Sequence, residues 1–144
     1  MLKSPAFQEG ELIPAKYTCD GLNINPALTI ADVPENAKSL VLIMDDPDAS
    51  SSAWVHWLAW NFSPETKEIT EDSIPQGAIL GKNSSNKLAY VGPCPPSGTH
   101  RYFFKLYALD SVLNIHEGSE VDDLTEAMEG HVLDQVNLMG NYSR

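Results

Sequence analysis

Three short stretches of this 144-residue chain carry residue types that can do chemistry: Asp45-Asp46-Pro47-Asp48-Ala49-Ser50, the step Trp54-Val55-His56, and Gly92-Pro93-Cys94-Pro95-Pro96-Ser97-Gly98-Thr99-His100 running on into Arg101-Tyr102. Histidine changes charge near neutral pH, and a carboxylate accepting from one ring nitrogen fixes the tautomer and aims the other nitrogen. Asp46 could orient a histidine such as His56 or His100 in this way, as an alternative to a plain β-turn with Asx-type hydrogen bonds. Pro47 removes a backbone donor and restricts Asp46 to extended geometry, so the acidic segment reads as a shaped turn in which Asp48 accepts turn hydrogen bonds. Gly92 would let a backbone N–H approach a ligand closely, and the prolines of the third stretch stiffen the loop that delivers His100.

The same segments contain every residue type of a catalytic triad, because Ser50, Ser51 and Ser52 lie beside Asp46 and His56. There is no Gly-x-Ser-x-Gly elbow, and serines in an acidic loop lack the sharp strand-to-helix turn that exposes a nucleophile. Binding without turnover is the preferred reading, and a weak hydrolase built on the Asp46, His56 and serine cluster is the alternative. Cys94 sits in the third stretch, where a neighbouring His100 could activate a thiol; a passive thiol is the simpler expectation.

These groups need elements to hold them, and strand alternation supplies the placement. It puts His100, Tyr102, Phe104 and Leu106 on one face of a strand over Arg101 to Leu109, with Arg101 opposite and suited to a structural ion pair. It also puts Trp54, His56 and Leu58 on one face of a strand over Trp54 to Phe62. Further strands are expected at Leu28 to Ile30 and Ser39 to Met44, each bounded by turn residues. Leu40 to Met44 and Trp54 to Phe62 are apolar on both parities, as central strands covered on both faces should be. One helix is expected near the C-terminus, with Leu124, Ala127, Met128 and His131 on one stripe and Asp123 with Glu126 as a capping box. Leu138 to Tyr142 could return as a final strand or loop. His131 reads as a helix–sheet packing residue and His116 as a surface one.

The rest of the chain sets bounds. With 42% hydrophobic and 20% charged residues it is too apolar to be disordered. At this length a globular unit buries about 70% of its unfolded surface, so neither disulfides nor a structural metal are needed. No repeat or linker breaks the chain, which reads as a single domain over residues 1–144. Nine Lys and Arg against twenty Asp and Glu leave a formal charge of −11, which repels nucleic acid and anionic membranes. No signal-like or membrane-spanning run is seen, so a cytoplasmic location without integral membrane association is expected. In that compartment Cys19 and Cys94 are expected to be free thiols.

Asp46-Pro47-Asp48-Ala49, Trp54-Val55-His56 and Gly92-Pro93 through His100-Arg101-Tyr102 resemble the two signature regions of the phosphatidylethanolamine-binding proteins, also called Raf kinase inhibitor-like proteins. Pro14-Ala15-Lys16-Tyr17-Thr18-Cys19-Asp20-Gly21, Asn25-Pro26-Ala27-Leu28 and Gly130-His131-Val132-Leu133 resemble the bacterial branch, so the likeness covers nearly the whole chain. The resemblance implies an all-β fold, a β-sandwich of two antiparallel sheets with a few peripheral helices. It implies a pocket formed by Asp46, His56, Gly92, His100 and Tyr102, with Trp54 as a wall and Pro93 in the same loop. The ligand it implies is a phosphate, a carboxylate or a phosphoethanolamine-like headgroup, with regulation of kinase or protease partners in view. A protein partner and a homodimer are left open. No cofactor is implied, and although Asp46, His56 and His100 suit zinc by type, the family's use of these donors for anions argues against a metal. Two positions depart from the pattern: Ser50 stands where many relatives carry proline, and Val91 where bacterial relatives commonly carry glycine. The mammalian branch continues into a C-terminal helix that partly covers the pocket, so the resemblance does not carry lid-dependent regulation over to this chain.

Overall fold

The computed structural model describes residues 1–50 and 52–144. Among them lie eight strands: β1 (Leu2–Lys3), β2 (Leu28–Ile30), β3 (Ser39–Asp46), β4 (Trp54–Phe62), β5 (Glu68–Ile69), β6 (Ile79–Leu80), β7 (Thr99–Leu109) and β8 (Val132–Ser143), with one α-helix, α1 (Val121–Met128), and a 3₁₀ turn at Ala15–Tyr17. The strands form two antiparallel sheets, a small one in the order β1-β2-β5 and a large one in the order β6-β4-β3-β7-β8. No helix of the described residues is long and apolar enough to cross a membrane.

The pattern along β3 shows how the layers arise. Leu40, Leu42 and Met44 point toward the small sheet and pack with Leu28, Ile30 and Ile69, while Val41 and Ile43 point the other way, into a second cluster with Leu113 and with Leu124 and Met128 of α1. Covering both faces leaves every residue of β3 buried, which is why its sequence is apolar on both parities. Each fully buried Leu or Ile stabilises the fold by about 1.5–3 kcal/mol relative to exposure, so this central strand is the rigid reference on which the site is built.

The final strand is longer than expected, running over Val132–Ser143 rather than Leu138 to Tyr142, and the helix differs in its cap and its end. Helix α1 is capped one turn earlier than Asp123: Glu120 is the N-cap, and its N–H donates to Asp123 Oδ2 at 3.1 Å in a reciprocal capping box. The helix has ended before His131, whose Nδ1 meets Asp110 Oδ1 at 2.8 Å on an exposed surface, so His131 is a surface ion-pair residue and not part of the helix–sheet packing. His116 is exposed, as expected.

Candidate functional site

The ends of β3, β4 and β7 meet at one rim of the large sheet, and the loop from Val91 to Ser97 closes the other side. Between them lies a cavity of about 410 Å³ whose lining includes Asp46, Trp54, His56, Gly92, His100 and Tyr102. Pro93, within this loop, is buried and does not line the cavity; its carbonyl accepts the Cys19 N–H at 3.1 Å.

His100 and Tyr102 arrive as alternation on β7 predicts, with Phe104 and Leu106 continuing the same face into the core. His56 arrives by a different route. The β3–β4 register steps from Met44↔Trp57 to Asp45↔Val55, which leaves His56 as the extra residue of a β-bulge. The bulge keeps Trp54 and His56 on the cavity side but moves Leu58 into the cluster under α1, so the expected common face of Trp54, His56 and Leu58 breaks after His56. Tyr102 lies beside both imidazoles, edge-on to His56 with centroids 5.3 Å apart and stacked on His100 at 6.5 Å. Trp54 stays 44% exposed, a wall at the mouth rather than the floor.

The hydrogen bonds set the protonation chemistry. His100 Nδ1 donates to Asp46 Oδ2 at 2.7 Å, and Asp46 Oδ1 accepts the Asp48 N–H at 2.8 Å, so both oxygens of this buried carboxylate are engaged. His56 Nδ1 donates to the Val91 carbonyl at 2.6 Å. A carbonyl can only accept, so the neutral His56 ring keeps its proton on Nδ1 and leaves the Nε2 lone pair for the cavity. Burial lowers the His56 pKa below its ordinary 6.5, against the opposing pull of the Val91 carbonyl and the Asp46 charge. The Tyr102 hydroxyl is pushed above its usual range, chiefly by burial, and remains a neutral donor and acceptor.

Arg101 makes the structural ion pair expected from its strand parity, and its partner is Asp48, which accepts from this strand rather than within its own turn. Asp48 accepts from the Arg101 main-chain N–H at 2.9 Å and from its guanidinium at 3.0 and 2.9 Å, tying the β3–β4 turn to β7. These bonds, the side-chain ones first, lower the Asp48 pKa to about 2.

Two expectations about the loop are corrected. Gly92 does not present its N–H to the cavity, because Asn23 Oδ1 takes that hydrogen at 2.7 Å. Its lack of a side chain is needed on the other side, where an added Cβ would run into the Tyr17 carbonyl and lie 2.7 Å from Asn23 Oδ1. The cysteines are not free: Cys19 and Cys94 form a disulfide with Cα atoms 5.4 Å apart. The physical reason is the stitching of the two loops. The Cys19 N–H bond to Pro93, the Gly92 bond to Asn23, and the Tyr90 hydroxyl bond to the Tyr17 carbonyl at 2.7 Å lay residues 17–23 alongside residues 90–94.

Val91, Pro95, Pro96 and Ser97 of the loop also line the cavity, and so does Ser85, which was not singled out from the sequence. Ser85 comes from a turn held by Asn83, whose Oδ1 accepts the Ser85 and Lys87 N–H groups, and nothing in its local sequence signals that placement. Ser50 lines the cavity, Ser52 is exposed, and Ser51 lies outside the described residues. Among the described residues no cluster of His, Cys, Asp and Glu is arranged to hold a metal ion.

The family model described as "Phosphatidylethanolamine-binding protein" matches residues 3–143. The chain belongs to the phosphatidylethanolamine-binding protein family. A UPF0098 protein of the archaeon Methanothermobacter thermautotrophicus is 51% identical, the alignment covering 99% of this chain and 98% of that protein. Among solved structures, a putative phosphatidylethanolamine-binding protein homologue, CT736 of Chlamydia trachomatis, superposes with a TM-score of 0.95 at 43% identity over 99% of this chain and 96% of that one. YbcL of E. coli, titled a new member of the mammalian family, superposes with a TM-score of 0.93 at 26% identity over 100% of this chain and 98% of its own. The phosphatidylethanolamine-binding protein fold thus accounts for the two antiparallel sheets and the helix near the C-terminus.

Proposed function

We propose that this protein binds a small anion, a phosphate or a phosphoethanolamine-like headgroup, in the cavity between His56 and His100. The observation that carries the reading is the pair of differently held imidazoles on one cavity wall: His100 backed by the Asp46 carboxylate, His56 backed by the Val91 carbonyl. In each ring Nδ1 is occupied by the protein, so Nε2 is the nitrogen left for a ligand. Protonated on Nε2, each donates a charge-assisted hydrogen bond to a phosphoryl or carboxylate oxygen, and the Tyr102 hydroxyl can add a neutral one. A few convergent donors can outweigh a diffuse negative field screened over about 8–10 Å, so the chain's formal charge of −11 does not bar a small anion from the cavity.

Among the described residues neither imidazole is hydrogen-bonded to a serine hydroxyl. The wall formed by half-exposed Trp54 and the open mouth suit a ligand that projects outward, as a headgroup on a larger molecule or a phosphorylated side chain of a protein partner would. Within that reading the protein works without cofactor or metal, as one domain in the cytoplasm.

Nuclear magnetic resonance titration with inorganic phosphate and phosphoethanolamine tests the site. Shift changes confined to the ring nitrogens of His56 and His100 and the amides of Asp46, Asp48, Gly92, Cys94 and Ser97 to His100 are expected. Saturation of a different surface, or none at all, would refute it.

A further inference from the structure

The Cys19–Cys94 bridge stands apart from both hydrophobic clusters, at the rim of the cavity, and both of its cysteines are exposed. The Arg144 guanidinium lies against it, with Nη1 at 3.3 Å from Cys94 Sγ and 3.8 Å from Cys19 Sγ. Arg144 is itself fixed by reciprocal main-chain bonds with Gly98, 2.9 and 3.1 Å, and its Nη2 is 3.5 Å from Asp20 Oδ1. A cation held beside a sulfur stabilises the thiolate, and thiol–disulfide exchange goes faster when the leaving thiolate is stabilised and the bond is accessible.

We propose that this bridge is a thiol-exchange site and that its redox state sets the stiffness of the cavity loop, a second claim that rests on the anion-binding reading above. The reductant is a dithiol. Its first thiolate attacks Cys19 Sγ, forming a mixed disulfide as the Cys19–Cys94 bond breaks and Cys94 leaves as the thiolate next to Arg144. Its second thiol, once deprotonated, attacks the mixed disulfide and releases Cys19. The dithiol ends as its own disulfide, the protein gains two electrons, and the two protons of the dithiol go to Cys19 and Cys94. Reduced, the loop from Gly92 to Gly98 keeps the Gly92 bond to Asn23 and the Pro93 bond to Cys19 but loses its covalent tie to residues 18–21. Cys94 to Ser97 line the cavity, so slackening them enlarges the cavity mouth and weakens anion binding.

The test treats the folded, oxidised protein with dithiothreitol without denaturant and follows three readouts. Alkylation with mass spectrometry should find both cysteines reduced, and Arg144→Gln should slow that reaction several-fold. Hydrogen exchange should quicken by roughly tenfold or more at Cys19 and Gly98, whose N–H groups bond the Pro93 and Arg144 carbonyls, while the β3 amides keep their protection. Affinity for inorganic phosphate should fall several-fold, recover on reoxidation with oxidised glutathione, and be insensitive to redox in the Cys19→Ser/Cys94→Ser variant. A bridge that resists dithiothreitol in the folded protein, exchange unchanged at the loop, or loss of protection throughout β3 overturns the proposal, as does an Arg144→Gln variant reduced at the wild-type rate. If neither redox form binds phosphate, the anion reading fails on its own, while the alkylation and exchange readouts still decide the exchange site.

Discussion

His100 donates to Asp46 at 2.7 Å while Asp46 spends its other oxygen on the Asp48 amide, so one buried carboxylate fixes both a cavity histidine and the turn that follows β3. Truncating Asp46→Ala therefore removes two bonds at once. A buried donor left without its acceptor costs about 1–3 kcal/mol, so the variant should unfold at a lower denaturant midpoint by an amount in that range. Its phosphate affinity should fall about tenfold, since hydrogen bonds to charged groups contribute about 1.5–3 kcal/mol. Chemical denaturation and calorimetry measure the two effects separately.

His56 makes stability and binding respond oppositely to acid. Burial holds its folded pKa below 6.5, so as pH falls through 6.5 the unfolded chain takes up a proton that the folded one refuses. Stability from this group is complete above that value and declines below it. A bound anion favours the protonated ring and offsets the loss. Melting curves between pH 8 and about pH 5 should show the free protein losing stability on acidification, phosphate protecting it more at the acid end, and His56→Gln flattening both trends.

Asp48 gives an acid-side signature. Its folded pKa of about 2 lies below the ordinary 3.8, so its contribution is present above 3.8 and is lost as pH falls toward 2. The pair is partly exposed, so its effect on overall stability should be small. Carboxyl carbon shifts followed through an acid titration should place Asp48 near 2 in the wild type and back toward 3.8 in Arg101→Gln.

Gly92 matters through what its missing side chain allows. In Gly92→Ala the new methyl group meets the Tyr17 carbonyl and Asn23 Oδ1, backbone and a hydrogen-bonded side chain that cannot both withdraw. Overpacking of this kind costs about 1–3 kcal/mol. The expected result is a lower melting temperature together with weaker phosphate binding, because the loop that lines the cavity must shift.

How much of this was legible in the sequence follows the range of the interaction. Alternation placed His100 and Tyr102 correctly because β7 runs unbroken through them, and it separated Arg101 onto the face where Asp48 meets it. It failed beyond His56 because a bulge adds one residue to one strand, and a period-two pattern has no mark for that insertion. The disulfide was missed for a similar reason. Cys19 and Cys94 are 75 residues apart, and compartment statistics cannot register that Gly92, Asn23, Pro93 and Tyr90 stitch their two loops together. The helix near the C-terminus was visible in its apolar stripe, but with several acidic residues in a row its cap was assigned to Asp123 instead of Glu120. Where a role depended on distant partners, as with the Gly92 N–H or the Val91 carbonyl, residue type alone could not assign it.

The central claim is that two imidazoles, each held through Nδ1, receive an anion on Nε2. Calorimetric titration of phosphoethanolamine at pH 6 and pH 8 tests it most directly, using wild type, His56→Gln and His100→Gln. The expected result is tighter binding at pH 6, with the pH dependence reduced in each single variant and binding lost when both histidines are replaced. Equal affinity at the two pH values, or affinity that survives the double replacement, would contradict it.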